Sequence, residues 1–299
     1  MENIRLKNVR LINNFIEYLR IEKNYSEKTI KSYHDDLNFF DMQNNKYLLD
    51  ISEEDIINYL KILKNNKYKK TSVSRKISSL KSFYKYINFK KIKVGYNPTT
   101  YILYPKKDKK LPNFIEYNEL EEMIKSSLEG KNKERNSLIV ELLYATGLRV
   151  SELVNIKIND IDFKDQSIRV VGKGSKERIV YFGEYALSAM NQYIEGERKL
   201  TLKDNNSEWL FPNKKGKHLT TRMIEIIIDK IMTKVSIKSK VSPHTLRHTF
   251  ATHMLNSGCD IRVVQELLGH ENLVTTEVYT HITSEELRNT YLKFHKRRE

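Results

Sequence analysis

With Cys259 as its one cysteine, this chain of 299 residues cannot build an intrachain disulfide framework, which fits a reducing compartment. The neighbours Gly258 and Asp260 read as a helix junction, giving Cys259 a structural or incidental place. No run approaches 18 apolar residues, so no membrane span is expected, and the opening MENIRLKNVR lacks the apolar core of a signal peptide. A soluble cytoplasmic protein is the expectation. Proline is scarce, yet three of the five, Pro98, Pro105 and Pro112, fall in one short stretch. Acidic residues are missing from Ile56 to Lys107, where fourteen Lys and Arg occur. Any single lysine there can be a solvated surface residue; a stretch this long without an acid points to a polyanionic partner.

The formal charge of +15 is unevenly spread. Residues 1–110 hold 24 Lys and Arg against 12 Asp and Glu, and residues 111–299 hold 29 against 26. With 39% hydrophobic residues, the chain can also bury the cores of two ordinary domains.

Apolar periodicity predicts a helical N-terminal region. Leu11, Ile12, Phe15, Ile16 and Leu19 form one stripe, and Ser26 caps a second helix through Ile30, Leu37 and Phe40. Ser52 with Asp55 resembles a capping box for a third, and Val73 to Ile87 form a fourth, with Arg75, Lys76, Lys81 and Lys85 around it. A small bundle over residues 1–96 follows. The prolines and the run Lys106, Lys107, Lys109, Lys110 mark residues 97–112 as a basic interdomain linker able to run along DNA.

Residues 113–299 read as a mainly α domain with a small antiparallel β-sheet. Helices are expected at Tyr117 to Ser127, Ser137 to Ala145, Ala186 to Glu195 and Thr220 to Val235. Ile168 to Val171 and Ile179 to Tyr181 flank the turn Gly172-Lys173-Gly174-Ser175-Lys176 as short strands. Ser242 and Pro243 open another helix, Ile261 to Leu268 form one stopped by Gly269, and Thr283 with Glu286 caps a last.

Several residues are candidates for chemistry. His244 and Arg247 lie three apart in the first turn of a helix, where free N–H groups favour an anion, although an ordinary polar helix start would look the same. Arg149 follows the turn Thr146-Gly147-Leu148; it is either a structural ion-pair partner or a guanidinium aimed into a cleft, where its planar fork suits two phosphate oxygens. The turn 172–176 lacks Walker spacing, which excludes ATP binding of that type and leaves a loop suited to a DNA groove. His244 and His248 are spaced i,i+4, but Thr245 stands where a zinc hydrolase needs Glu, so no metal is expected, and His248 and His253 read as packed or hydrogen-bonded helix residues.

Five segments, in order, resemble the tyrosine recombinase/phage integrase family: Ala145 to Leu153, Gly172 to Arg178, His244 to Thr252, Leu267-Leu268-Gly269-His270, and Tyr279-Thr280-His281. The overall length and helical N-terminal region look most like the bacterial Xer subgroup. The resemblance implies a core-binding, SAM-like N-terminal bundle and a C-terminal catalytic domain. It makes Arg149 and Arg247 the phosphate-binding arginines, Lys173 the strand-turn lysine, His244 and His270 the active-site histidines, and Tyr279 the nucleophile of a 3′-phosphotyrosine intermediate, with no metal or ATP. It also implies a double-stranded DNA recombination site, a homo- or hetero-tetramer with a paralogous recombinase, a Holliday junction, and a nucleoid-associated role in chromosome dimer resolution with a cell-division DNA translocase as a candidate activator.

Arg75, Lys76, Lys81, Lys106, Lys107, Lys109, Lys110, Lys176 and Arg178 are the expected further DNA contacts. The terminal helix, at about 283–296, is expected to exchange onto a neighbouring protomer, docking on its own domain being the other arrangement. A mobile-element integrase or resolvase, a non-cleaving architectural protein and a type IB topoisomerase stay open as alternatives.

Overall fold

The computed structural model describes residues 3–93, 95, 97–106, 114–172, 176–203, 205–235, 241–269 and 283–298. The chain divides into two compact units, Met1–Lys110 and Leu111–Glu299.

The first unit carries four α-helices among its described residues: α1 (Ile4–Ile21), α2 (Glu27–Asn44), α3 (Glu53–Asn65) and α4 (Lys70–Phe89). The predicted caps form. The Ser26 side chain accepts from the amide of Thr29, and Ser52 with Asp55 completes a reciprocal capping box. Aromatic rings fill the interior, with Phe15 edge-on to Phe83 at 5.5 Å and Phe40 edge-on to Tyr59 at 4.9 Å between centroids. Each buried ring removes on the order of 150–250 Å² from water, and such pairs add about 0.5–1.5 kcal/mol beyond that burial.

A buried ion pair sits inside this bundle. Asp36 is 2% exposed; it pairs with Arg75 and, at 3.0 Å, with Lys76, whose ammonium also stands 4.3 Å from the centre of the Phe39 ring. Lys76 thus departs from the expectation of a DNA contact, because its charge is spent within the core. Arg75 also bonds Asp36 but keeps an exposed side chain.

The second unit is built on α5 (Tyr117–Ser127) and α6 (Lys133–Thr146), with every residue of α6 from Ser137 to Thr146 buried. A short α7 (Val150–Val154) follows, then the strands β1 (Ile161–Asp162), β2 (Ser167–Val171) and β3 (Glu177–Tyr181). They form a three-stranded antiparallel sheet in the order β1-β2-β3, with Ile168 opposite Val180 and Val170 opposite Arg178. α8 (Glu184–Tyr193) continues through a π-helical turn at Ile194–Arg198, opened by the non-helical backbone of Gly196, into α9 (Lys199–Leu202). α10 (Thr221–Met232), α11 (Pro243–Asn256) and α12 (Ile261–Leu268) complete the helical layer, and α13 (Ser284–Phe294) lies on it.

In the single chain α13 docks on its own unit, one of the two arrangements that the sequence leaves open. Its capping box at Thr283 and Glu286 forms, and its apolar stripe finds a surface at hand. Tyr291 is 1% exposed among Tyr181, Phe250, Met254 and Leu268. Beyond the helix, His295 stacks on Tyr291 and Arg297 pairs with buried Glu141 at 2.8 Å. No described helix is long and apolar enough to cross a membrane.

Candidate functional site

α6 ends abruptly because Gly147 adopts a left-handed conformation (φ +61°). A Cβ here would stand 2.7 Å from Phe250 and 2.8 Å from Leu268, so glycine satisfies both the backbone angle and the close approach of α11 and α12. The turn delivers Arg149 to the cap position of α7. There its amide donates to Glu152 Oε2 over 2.8 Å, its Nη1 to Glu152 Oε1 over 2.9 Å, and its Nη2 to the carbonyl of Gly269 over 3.2 Å.

Arg247, one turn into α11, is 7% exposed. Its Nη1 donates to the carbonyl of Gly147 and its Nη2 to that of Leu268, each over 2.6 Å. Burial, and then the charge of Arg149, lowers its pKa to about 10, which leaves it cationic at neutral pH. A buried guanidinium whose described hydrogen bonds all go to neutral carbonyls is electrostatically short of an anion. Arg149, Arg247, His244 and His248 line one cleft of about 490 Å³, closed by Leu148, Ala251 and Leu268. His244 is exposed at its rim and His248 half-buried, while His253 is buried against the Tyr144 hydroxyl at 3.0 Å.

Glu152, 5% exposed, organises this corner. Arg178 on β3 donates to both of its oxygens, each over 2.8 Å. Burial pushes the Glu152 carboxyl up, but the hydrogen bonds and charge of Arg178, then of Arg149, outweigh it and hold the group below the ordinary carboxylate range. Arg178 therefore departs from its expected place as a DNA contact: its fork is turned inward onto a carboxylate. Sequence reasoning gave Glu152 no role, although a carboxylate three residues after Arg149 is placed to accept from both its amide and its side chain.

The remaining expected residues divide in two. Lys106 and Lys176 are exposed, and Lys81 is half-buried with its ammonium 5.0 Å from the centre of the Tyr104 ring. Lys107, Lys109, Lys110, Lys173, His270 and Tyr279 lie outside the described residues.

The pattern of the phage integrase family matches residues 113–286, and that of the phage integrase N-terminal SAM-like domain matches residues 12–90. Tyrosine recombinase XerC of Anoxybacillus flavithermus is 44% identical, with 99% of this chain and all of that protein covered. Tyrosine recombinase XerC of Staphylococcus aureus is 45% identical over 95% of each chain. Among solved structures, the Tn1549 transposon integrase in complex with transposon right-end DNA superimposes with a TM-score of 0.72 at 19% identity, covering 93% of this chain and 97% of that one. XerH site-specific recombinase bound to a palindromic difH substrate superimposes with a TM-score of 0.70 at 22% identity, covering 96% and 82%. These two likenesses establish a shared fold. With its catalytic region and its N-terminal domain both matched, and with full-length likeness to XerC proteins, the chain belongs to the phage integrase family of tyrosine recombinases.

Proposed function

We propose that this chain is a site-specific recombinase that cuts and rejoins double-stranded DNA, with Arg149 and Arg247 gripping the scissile phosphate and Tyr279 attacking it. The observation that carries this reading is the buried Arg247 guanidinium, held by two neutral carbonyls and opening with Arg149 and His244 on one cleft.

In-line attack by the Tyr279 oxygen forms a phosphorus–oxygen bond to the enzyme and breaks the bond to the 5′ oxygen, leaving a 3′-phosphotyrosine and a 5′-hydroxyl. Negative charge builds on the nonbridging oxygens in the five-coordinate state. Fixed guanidinium groups, aided by His270, stabilise that charge more than the ground state. A phenol with an ordinary pKa near 10 needs help to lose its proton, and His244 is the candidate base. Lys173 protonates the departing 5′ oxygen. Because the phosphotyrosine conserves the energy of the broken bond, a 5′-hydroxyl from a partner duplex reverses the step without ATP.

Four protomers on two paired sites carry out two such exchanges through a Holliday junction, with a paralogue of this chain or with four copies of it. Likeness to XerC proteins supports a cytoplasmic, nucleoid-associated role in resolving chromosome dimers, with a cell-division DNA translocase as activator. The α13 seat described above is the surface that a neighbour's terminal helix would fill in that assembly.

The test uses a nicked duplex site whose short cleaved strand diffuses away. The full-length protein forms an SDS-resistant covalent adduct, and Tyr279→Phe abolishes the adduct while retaining DNA binding. An adduct that persists in Tyr279→Phe overturns the assignment.

A further inference from the structure

The carbonyls of Leu267, Leu268 and Gly269 stand at the end of α12, where a helix has no intrahelical donors left to offer. Each accepts from a different arginine: Leu267 from Arg178 Nε over 3.4 Å, Leu268 from Arg247 over 2.6 Å, and Gly269 from Arg149 over 3.2 Å. Two of these arginines face the cleft; Arg178 does not line it.

The Glu152 carboxylate is filled to capacity. Oε1 accepts from Arg149 Nη1 and Arg178 Nη1, and Oε2 accepts from the Arg149 amide and Arg178 Nη2. Arg178 thus takes the paired, fork-to-fork face of the carboxylate, and Arg149 is left with an end-on bond from one side-chain nitrogen. Without Arg178 the full charge of Glu152 would fall on Arg149 and compete with a phosphate for it. The Arg178 side chain also lies against the end of α12, where a Cβ on Gly269 (φ +63°) would meet its Cδ at 2.9 Å.

We infer that Arg178 is a positioning residue for strand cleavage: by neutralising Glu152 and bracing the end of α12, it fixes the Arg149 guanidinium and keeps its charge for the DNA phosphate. The inference rests on the reading of Arg149 as a phosphate ligand. It assigns Arg178 no contact with DNA. Lysine cannot replace it, since an ammonium lacks the planar fork that spans both carboxylate oxygens.

The experiment compares wild type, Arg178→Lys, Arg178→Ala, Glu152→Gln and the double variant Arg178→Ala/Glu152→Gln as full-length chains on the nicked duplex. Binding and the rate of adduct formation are measured separately. Arg178→Lys and Arg178→Ala are expected to bind DNA as wild type does but to form the adduct about 10- to 100-fold more slowly, as for other groups that orient a ligating side chain. Glu152→Gln slows the wild type, yet it speeds the Arg178→Ala variant, because the competing charge is gone; a purely structural role for Arg178 gives no such reversal of sign. Wild-type rates in Arg178→Ala, a parallel loss of binding and cleavage, or a double variant slower than Arg178→Ala overturns the inference. If Arg178→Ala does not fold, full cleavage by Arg178→Lys overturns it as well. Failure of the wild type to form an adduct would instead sink the proposed function itself.

Discussion

Arg247 donates to the carbonyl of Gly147 over 2.6 Å, a bond between residues one hundred positions apart in the chain. It joins the glycine turn that presents Arg149 to the helix that presents Arg247, so the two guanidinium groups hold a common frame. Preorganisation of this kind is what electrostatic catalysis requires, because little reorientation is left for the reaction step.

Gly147→Ala tests how tight that frame is. A methyl group here meets Phe250 and Leu268 at 2.7 and 2.8 Å on a backbone that L-residues avoid. A loss of about 1–3 kcal/mol is expected from overpacking and left-handed strain, read by chemical denaturation. Adduct formation should fall more steeply than stability does. Wild-type stability in this variant would show that α11 and α12 can move apart at no cost.

Two buried histidines make the stability of the second unit depend on pH in mild acid. Burial holds His295 down to about 3, and burial, then the charge of Lys296, lowers His253. Because both folded values are depressed, stability is fully present above the ordinary histidine value near 6.5 and declines as pH falls below it, where only the unfolded chain takes up the protons. Each group contributes a slope of up to about 1.4 kcal/mol per pH unit. His295→Phe should flatten the decline in denaturation measured between pH 6.5 and pH 4; an unchanged slope would rule out His295 as its source.

Lys76 and Lys176 should separate core charge from surface charge. Lys76→Met removes an ammonium already bound to Asp36 within the bundle, so the dependence of DNA affinity on salt should not change, although the bundle is destabilised. Lys176 is exposed just before β3, and Lys176→Met should reduce the slope of log K against log salt by about 1. Equal slopes for the two variants would remove Lys176 from the DNA surface.

Much of this was legible from residues. Ser52 with Asp55, Thr283 with Glu286 and Ser242 with Pro243 announced their helices, because a cap is a local hydrogen-bond problem solved by neighbours in sequence. The order of the motifs led to Arg149, His244 and Arg247, which line one cleft. Inward charge was not legible. Arg178 and Lys76 each look like a cation free for DNA until Glu152 or Asp36, 26 and 40 positions away, is brought against them by tertiary packing. The five residues of α7 and the two of β1 are too short to carry a period, and the π-helical turn at Gly196 breaks the one that α8 begins.

The three carbonyls at the end of α12 make the length of that helix a fixed quantity. One residue inserted between Ile261 and Leu268 rotates the end by about 100°, and a deletion rotates it as far the other way; either change swings all three acceptors off their arginines at once. The eight residues of α12 therefore serve as a ruler whose graduation matters more than the side chains marked along it.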